Sequence, residues 1–459
     1  MRLAFFDRKE ELGRLRSLLA RREGGLAVLY GRRRCGKSRL LHEALPKGGS
    51  VYYVGDDREP SIQRAAFALE IGRLLPGFGD VAYPDWDALL LRLFRDAKKG
   101  MVVAVDELPS LVVSAPEIPS LLQKQLDRGT NRVHLILAGS SQRMMQGLVL
   151  DRNAPLFGRA IEVVRIAPLE VGWIRTALRL PDDRRAIEAY AVWGGIPRYW
   201  ELAADLPDLL SAIRKLVLSP LGVLHDEPKS LLLDDMRDVT QASSLLTLIG
   251  SGCHRLSEIA GRLGKPATSL ARPMAKLIDL GFVRRDVPFG ADAKSGKRSA
   301  YRIGDPFLRF WFRFVEPNRS RLEAGLLGSV ARDVERDLPL HVSGVFEDLV
   351  RRSVPRALCF DQDWGPAASW WGPGRDQSPM EVDVVALSAD RRHLLVGEVK
   401  WGEQVDATRE LNELRRKAAN LPFTEGKEVH LALWTRSRRP SGGRGAEFFT
   451  AGDVLRVLR

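Results

Sequence analysis

The chain has 459 residues, 45% of them hydrophobic, and 71 lysines and arginines against 58 acidic residues give it a formal net charge of +13. This composition excludes a disordered chain and predicts a cytoplasmic protein of about three domains of ~150 residues each. The cysteines Cys35, Cys253 and Cys359 stand too far apart for a disulfide framework or a zinc motif. No apolar run is long enough for a signal peptide or a membrane helix. The positive charge favours a polyanionic partner such as nucleic acid, although solvated basic faces are also common.

A helix is predicted first, with Asp7 as its N-cap and apolar side chains at helical spacing over residues 12–19. The apolar run 26–30 predicts a strand, and residues 39–44 predict a second helix. The sequence GRRRCGKS stands between this strand and this helix. It fits the phosphate-loop pattern GxxxxGK[ST] at every fixed position and in the required strand–helix context.

This loop is predicted to bind the phosphates of ATP. Gly31 and Gly36 let the backbone curl so that successive N–H groups point at an anion. Lys37 is expected to reach the β- and γ-phosphates, and the Ser38 hydroxyl to bind Mg²⁺. A chance match in a Gly/Arg-rich turn is the alternative. The nucleotide-binding residues predicted here are Gly31, Arg32, Arg33, Arg34, Cys35, Gly36, Lys37, Ser38 and Arg39.

Two carboxylates follow the next strongly apolar segment. Residues 101–105 predict a buried parallel strand, and Asp106 and Glu107 stand at its carboxyl end, where open α/β sheets bind ligands. Asp106 is expected to hold Mg²⁺, and Glu107 to orient or deprotonate the attacking water. A pair that only caps a turn is the alternative, and the phosphate loop upstream argues against it.

Two further polar residues lie next to predicted strands. The strand 133–138 ends in Gly-Ser-Ser, and Ser140 is predicted to sense the γ-phosphate, unless the segment is only a Ser-rich turn. Arg159 precedes the predicted strand 160–164. It is predicted to stabilise transition-state charge, from within its own chain or across a subunit interface. An ordinary surface arginine is the alternative.

Helices are predicted from residue 168 to about 235, interrupted by Gly194-Gly-Ile-Pro197. Such a break either brings Pro197 against an adenine ring or forms an ordinary helix–helix corner. Taken with the motifs above, residues 5 to about 235 resemble the archaeal-type ATPase family within the AAA+ and STAND group of P-loop NTPases. The matching segments are Asp7-Arg8, Glu11-Leu12, Gly31–Ser38, Asp106-Glu107, Gly139–Ser141, Pro155–Arg159 and Gly194–Pro197.

The resemblance implies an α/β/α core with a helical lid. It also implies that Arg8 lies near the base, that Asp106 binds Mg²⁺, and that Pro197 of the lid contacts the nucleotide. These roles come from the family, and the residue patterns above are consistent with them.

The pattern then changes to short helices at 242–249, 255–264 and 267–281 and a basic hairpin over 282–303. This arrangement is similar to a winged helix-turn-helix, whose third helix enters the major groove of DNA. Pro273 lies inside that helix and is expected to kink or shorten it. Winged helices also bind proteins, so DNA and a protein partner both stay open. The residues expected to contact phosphates are Arg272, Lys276, Lys294, Lys297 and Arg298.

An aromatic segment over residues 305–315 follows the hairpin. Its aromatic side chains allow two interpretations, stacking on nucleic-acid bases or packing between modules. Because they recur at helical spacing, buried packing is favoured.

The last part of the chain carries a second group of carboxylates. A predicted helix carries Glu347, and a predicted strand pair carries Asp383 on one strand and Glu398 and Lys400 on the other. Residues two apart on a strand share a face, so Glu398 and Lys400 point the same way, and pairing can bring Asp383 near Glu398. Two carboxylates and a lysine suit one or two Mg²⁺ ions and an activated water for phosphodiester hydrolysis.

Residues 340 to 405 resemble the PD-(D/E)XK nuclease superfamily, and specifically the domain often fused to archaeal-type ATPases. The proline of the family's Pro-Asp pair is Val382 here, a departure that removes no ligand. The resemblance implies a restriction-endonuclease-like domain with Asp383 and Glu398 as metal ligands. The implied catalytic residues are Glu347, Asp383, Glu398 and Lys400. A nuclease-like fold kept as a binding module, or a chance strand with alternating charge, is the alternative.

We therefore expect an α/β protein with a P-loop ATPase core over 1–165, a helical lid over 166–235, a winged helix and aromatic connector over 236–320, and a nuclease-like domain over 321–459. The predicted function is ATP binding and hydrolysis with Mg²⁺, coupled to DNA binding and DNA cleavage, by a chain that can form homo-oligomers. The alternative is a nucleotide-gated, STAND-type switch whose C-terminal domains bind protein partners without cleaving DNA.

Overall fold

The computed structural model describes residues 3–128, 131–236, 238–292, 298–357, 359–436 and 445–459. The chain divides into two compact units. The N-terminal unit comprises Phe5–Pro168 and Leu233–Arg237, and the C-terminal unit comprises Met1–Ala4, Leu169–Leu232 and Asp238–Arg459. The segment predicted as a lid therefore belongs mainly to the same unit as the modules that follow it.

The N-terminal unit is built around a parallel sheet. Its strands are β1 Leu26–Tyr30, β2 Ser50–Val54, β3 Met101–Asp106, β4 Val133–Gly139 and β5 Ala160–Arg165, in the spatial order β2–β3–β4–β1–β5. β3 and β4 are buried along their whole length because their residues are apolar on both faces, as in parallel sheets covered by helices. The helices are α1 Lys9–Leu19, α2 Lys37–Ala44, α3 Pro60–Gly72, α4 Trp86–Asp96, α5 Leu108–Ser114, α6 Ile118–Leu126 and α7 Gln142–Met145.

The strands of this sheet all run in one direction, because each pairs in parallel with its neighbours. Their carboxyl ends therefore lie at the same edge. The loop that follows β1 and the acidic residues at the end of β3 both lie at this edge, on either side of β4. This is the edge at which open α/β sheets bind ligands.

The segment Leu169–Leu232 of the C-terminal unit is helical and contains α8 Ile174–Ala177, α9 Asp183–Trp193, α10 Pro197–Ala203 and α11 Leu209–Ile213. It also contains the first residues of α12 Glu227–Asp235, whose last three residues belong to the N-terminal unit. Gly194, with a φ of 58°, is the C-cap of α9. Pro197 then starts α10, a position that suits proline because its N–H would have no helical partner. The predicted break between the two helices is therefore a helix–helix corner.

Three helices and a hairpin come next, namely α13 Val239–Gly250, α14 Leu256–Leu263, α15 Ala267–Asp279, β6 Val283–Asp286 and β7 Ala300–Ile303. The two strands pair antiparallel. Pro273 lies inside α15, so the helix continues through it and is not shortened there. Arg272 and Arg298 are exposed, and Lys276 is half-buried. Lys294 and Lys297 lie outside the described residues.

The aromatic segment forms α16 Pro306–Phe314. Phe307, Phe310 and Trp311 are at most 2% exposed, and the indole N–H of Trp311 donates to the carbonyl oxygen of His225 at 2.7 Å. Buried packing is therefore confirmed for this segment, and base stacking on these rings is excluded.

The chain ends in a mixed sheet reached through α17 Arg319–Glu323 and α18 Leu327–Ser353. Its strands are β8 Ala368–Pro373, β9 Pro379–Leu387, β10 His393–Lys400, β11 Glu428–Thr435 and β12 Ala446–Thr450, in the order β12–β11–β10–β9–β8. α19 Ala407–Asn420 connects the parallel strands β10 and β11, and α20 Ala451–Val457 follows β12. Leu411 and Leu414 of α19 pack with Val382 and Val396 of the sheet.

Two differences from the predicted elements have clear causes. Asp7 is not the N-cap of α1, because Arg8 takes that position with a left-handed φ of 73° and no side chain caps the helix. β11 and β12 had no prediction, since neither has an acidic or glycine-rich motif to mark it.

Among the described residues, no helix combines the length and apolar character needed to cross a membrane.

Candidate functional site

The phosphate loop follows β1 at the carboxyl edge of the N-terminal sheet. Gly31 has a φ of +152°, and a Cβ at this residue would lie 2.3 Å from the carbonyl oxygen of Ile166. Gly36 has a φ of +93° and caps α2. Both glycines are therefore required by the local backbone, which turns directly into the positive end of a helix.

Lys37 is buried beside this loop and is 4% exposed. Its Nζ donates to the carbonyl oxygens of Gly31 and Arg32 at 2.8 and 3.1 Å. Burial lowers the pKa of Lys37, and the negative field of Glu107 opposes that shift. A buried ammonium group held by neutral carbonyls gains from a nearby anion, so the loop fits the phosphates of a nucleotide.

Asp106 is the last residue of β3, and the hydroxyl group of a tyrosine connects it to Ser38. The Tyr52 hydroxyl donates to Asp106 Oδ2 at 2.8 Å and also hydrogen-bonds with Ser38. Burial and the bond to Asp106 raise the pKa of Tyr52. The two predicted Mg²⁺ ligands therefore lie around one hydroxyl group, and their hydroxyl and carboxylate oxygens fit that ion.

Sequence reasoning missed Tyr52. A signal was present, because β2 alternates buried and half-buried residues and Tyr52 lies on the more open face, opposite Ala104 of β3. A polar aromatic residue beside the strand of Asp106 was therefore a candidate partner.

Glu107 and Ser140 come together from neighbouring strands. The Glu107 carboxylate accepts hydrogen bonds from the Ser140 hydroxyl and, at 3.3 Å, from the Ser140 N–H. Glu107 has φ 52° and ψ 44°, a left-handed conformation that is uncommon for residues other than glycine. Local strain of this kind occurs at functional sites, which fits the predicted roles of both residues.

Arg8 joins the start of the chain to the phosphate loop. Its guanidinium is buried, donates to the carbonyl oxygens of Cys35 and Ala167, and pairs with Glu11 at 3.0 Å. Through its bonds to the two carbonyl oxygens, Arg8 holds the phosphate loop in position. A contact between Arg8 and the nucleotide base, which the family resemblance implies, stays a prediction.

The other predicted loop residues differ in their surroundings. Arg33 pairs with Asp234 at 3.2 Å, and the Arg39 guanidinium lies over the Phe5 ring at 5.6 Å. Cys35 is buried. Arg32 and Arg34 complete the loop.

Arg159 lies away from the phosphate loop of its own chain. It precedes β5, whose first residue Ala160 pairs with Leu26 at the amino end of β1, whereas the loop follows Tyr30 at the carboxyl end. Arg159 forms a bidentate ion pair with Asp127, with both N–O distances 2.8 Å. The prediction that Arg159 acts within its own chain is therefore wrong, and action across a subunit interface stays a prediction.

Pro197 belongs to the C-terminal unit. The corner that it starts is held by two hydrogen bonds, from the Leu169 N–H to the Gly195 carbonyl and from the Trp200 indole to the Gly194 carbonyl, both 2.7 Å long. A contact between Pro197 and the nucleotide stays a prediction.

Glu347, Asp383, Glu398 and Lys400 come together in the C-terminal unit. Glu347 projects from α18, Asp383 from β9, and Glu398 and Lys400 from the end of β10. Asp383 Oδ2 accepts from the Val399 N–H at 2.9 Å, and Lys400 Nζ lies 3.0 Å from Glu398 Oε2. We call these four residues the carboxylate–lysine cluster.

The carboxyl groups of this cluster are buried close together, so their negative charges repel one another. Burial and then the charge of Glu347 raise the pKa of Asp383, burial and then the charge of Asp383 raise that of Glu398, and burial raises that of Glu347. Burial lowers the pKa of Lys400, but the Glu398 carboxylate outweighs it, so the net shift is upward. Clustered carboxylates of this kind fit a divalent cation such as Mg²⁺.

Sequence reasoning also missed two residues of α19 that border the cluster. Lys417 Nζ lies 2.7 Å from Glu398 Oε1, and Glu410 Oε2 lies 3.1 Å from Lys400 Nζ. The signal was their spacing, because residues seven apart lie on the same face of a helix, two turns from each other.

Comparisons with known proteins agree with this architecture. Residues 5–202 match a family model described as an ATPase domain predominantly from Archaea, and residues 311–413 match DUF234, described as archaea bacterial proteins of unknown function. The uncharacterized protein MJECL04 of Methanocaldococcus jannaschii is 28% identical over 409 residues, which cover 88% of each chain.

A solved structure shares the fold. The Walker-type ATPase Paby2304 of Pyrococcus abyssi aligns with a TM-score of 0.52 and 19% identity over 67% of this chain and 96% of that chain. The predicted resemblance to archaeal-type ATPases is thereby confirmed. The chain therefore contains an archaeal-type P-loop ATPase domain over residues 5–202, whose family supports ATP binding and hydrolysis, and a DUF234 domain over residues 311–413.

Proposed function

We propose that the protein is a Mg²⁺-dependent ATPase whose nucleotide state controls DNA binding and DNA cleavage by its C-terminal unit. The observation that carries the cleavage proposal is the carboxylate–lysine cluster, in which side chains from α18, β9 and β10 converge. A chance alternation of charge on one strand does not account for a third element contributing Glu347.

In the N-terminal unit, the loop from Gly31 to Ser38 would hold ATP, and Ser38 with Asp106 would hold Mg²⁺. The bound ion supplies neutralisation of phosphate charge. Lys37 provides a buried positive charge next to the phosphates. Glu107 orients the attacking water and accepts its proton, and Ser140 fixes the Glu107 carboxylate in place.

In the C-terminal unit, Asp383 and Glu398 would hold Mg²⁺, which supplies a water activated for attack on phosphorus. Lys400 places a positive charge where negative charge develops on the scissile phosphate. Glu347 adds a carboxylate that accepts a proton from water. α13 to β7 resemble a winged helix, and the exposed Arg272 and Arg298 would contact DNA phosphates there.

A second candidate function is the nucleotide-gated switch that binds a protein partner and cleaves nothing. One observation favours it. Lys400 and Lys417 lie on the two oxygens of the Glu398 carboxylate, so the charge of this ligand is already balanced by ammonium groups. An ion-pair network of this kind can stabilise a sheet without any metal.

ATP turnover and the nicking of plasmid and single-stranded DNA in Mg²⁺ test the proposal. Lys37→Ala is expected to abolish turnover, and Asp383→Asn is expected to abolish nicking and keep turnover. Glu381→Gln is the matched control, because Glu381 is exposed and lies two residues from Asp383 on the same strand. Turnover without nicking or DNA binding by the wild-type protein overturns the nuclease proposal and leaves the switch.

A further inference from the structure

Two histidines and a glutamate meet at the amino ends of β10 and β11, away from both sites described above. His393 is the parallel-register partner of Glu428, and His430 stands two residues further along β11, so the three side chains share a face of the sheet. His393 Nδ1 lies 2.9 Å from His430 Nε2. Carboxylate oxygens of Glu428 lie 3.5 Å from His393 Nδ1 and 3.7 Å from His430 Nε2.

These ligand atoms point at one another, and all lie within 4.8 Å. Two facing ring nitrogens can share one proton, or both can give their lone pairs to one cation. Imidazole nitrogens with a single carboxylate select a divalent transition metal of the Zn²⁺ type over Mg²⁺, which prefers oxygen ligands. With Zn–N bonds of ~2.0–2.1 Å, tetrahedral binding requires the ring nitrogens to separate by only about 0.5 Å.

A carboxylate near His393 favours the tautomer that this role requires. When His393 binds a metal through Nδ1, its proton lies on Nε2, and that atom is 3.9 Å from Asp390 Oδ2. The Asp390 carboxylate is held in turn by Ser388 and by the Arg392 N–H. His393 Nε2 and Asp390 Oδ2 are too far apart for a hydrogen bond, so Asp390 acts only through its negative charge, which favours the His393 tautomer with the proton on Nε2.

The site is also accessible. The Phe360 ring packs against His430 at 4.8 Å between centroids, whereas the Glu428 side chain is 68% exposed. A bound ion would therefore have protein on one side and solvent on the other.

We propose that His393, Glu428 and His430 bind one divalent transition-metal ion of the Zn²⁺ class. The site is distinct from the carboxylate–lysine cluster, because His393 and Glu398 are five positions apart on an extended strand, roughly 16 Å. An ion there fixes β10 against β11 and so stabilises the sheet that carries Glu398 and Lys400. The proposal does not depend on DNA cleavage.

Titration of the full-length protein with Zn²⁺ against a chromophoric chelator, in millimolar Mg²⁺ to saturate oxygen-only sites, tests this site. The wild-type protein is expected to bind one equivalent that His430→Gln and Glu428→Gln lose. Glu425→Gln is the matched control, since Glu425 is an exposed glutamate three residues before Glu428.

Thermal unfolding separates loss of the site from loss of the fold. Zn²⁺ is expected to raise the midpoint of the wild-type protein and of Glu425→Gln, because it binds the folded state, and to leave that of His430→Gln unchanged. The three proteins should unfold at the same temperature with a chelator present. Retention of the equivalent by His430→Gln, or the lack of any equivalent in the wild-type protein, overturns the proposal.

Discussion

At Gly31 the backbone leaves no room for a side chain, so a substitution there should disrupt the phosphate loop. A Cβ would lie 2.3 Å from the Ile166 carbonyl oxygen, and the φ of +152° is unfavourable for any L-residue. Gly31→Ala is therefore expected to abolish ATP turnover and to destabilise the protein by about 1–3 kcal/mol. Gly13→Ala is the control, because a Cβ there has no atom within 4 Å. ATP turnover and urea unfolding check both variants, and wild-type turnover by Gly31→Ala would contradict the prediction.

Tyr52 gives a second prediction at this scale. Tyr52→Phe removes a hydrogen bond from the buried Asp106 carboxylate, so turnover at saturating ATP should fall on the order of 10-fold and require more Mg²⁺. Tyr53→Phe is a matched control, because its hydroxyl faces the other side of the strand and donates to the Gln63 carbonyl at 3.3 Å. If the turnover of the two variants depended equally on Mg²⁺, Tyr52 would have no role at the ATPase site.

Single residues also mark the limit of sequence reasoning. Gly31, Lys37 and Asp106 were predictable because a fixed spacing and a strand context specify them. Tyr52 and Lys417 have only weaker signals, since neither belongs to a motif of fixed spacing and each reaches its site from a neighbouring strand or another helix. For Arg159 the sequence left two alternatives open for the same reason, because the edge of the sheet on which it lies depends on the direction of β5.

At the scale of elements, one carboxylate connects three of them. Asp348 on α18 pairs with Arg284 of β6, Arg309 of α16 and Arg351 of α18. Arg351 also donates to the backbone carbonyl of Asp383 at 2.9 Å. The hairpin, the aromatic helix and the carboxylate–lysine cluster are therefore joined through a single buried charge.

Removal of the Asp348 charge should lower the free energy of unfolding strongly. Asp348→Asn leaves three guanidinium groups without their shared anion and is expected to lower the free energy of unfolding by about 3–5 kcal/mol. Asp333→Asn on the same helix removes a half-buried pair with Arg321 that water still reaches, so its cost should stay within about 1 kcal/mol. Urea unfolding at neutral pH compares the two variants, and equal costs would contradict the role of Asp348 as a hub.

The same group predicts a pH dependence. Burial opposes ionisation of Asp348, but Arg284 and Arg351 outweigh it and hold its pKa well below the usual range. Its stabilising contribution is therefore complete above the unfolded-state pKa of about 3.9 and is lost as the pH falls below that value. Asp348→Asn should lose less stability than the wild-type protein between pH 5 and pH 3 (approximate bounds from the same carboxyl pKa), as followed by thermal unfolding.

Helices and motif-bearing strands were predicted more completely than the C-terminal sheet. α16 follows from aromatic side chains at helical spacing, and β9 and β10 from their apolar runs. β11 and β12 pair in parallel at the edge beyond β10, and a parallel partner supplied through a crossover helix leaves no local turn signal in the sequence. Pro273 was expected to kink or shorten α15, yet helix bounds extend to both sides of it.

At the scale of the whole molecule, the excess of basic residues predicts how the affinity for DNA depends on salt concentration. The net charge of +13 favours nucleic acid, and each phosphate neutralised by the protein contributes about −0.9 to the slope of log affinity against log salt. Binding to duplex DNA should therefore weaken steeply between 50 and 200 mM salt, a range for which losses of ~10³–10⁵ follow from 6–10 phosphate contacts.

Arg272→Gln locates those contacts. Arg272 is exposed on α15, and its loss should weaken binding to all sequences alike and reduce the salt slope by about 1. Arg332→Gln, an exposed arginine of α18, is the control and should change neither quantity. Fluorescence anisotropy of a labelled duplex over the salt series measures both. An unchanged slope in Arg272→Gln would show that α15 does not contact DNA. Salt-independent or undetectable DNA binding would favour the protein-binding switch, because the positive charge would then serve a partner other than nucleic acid.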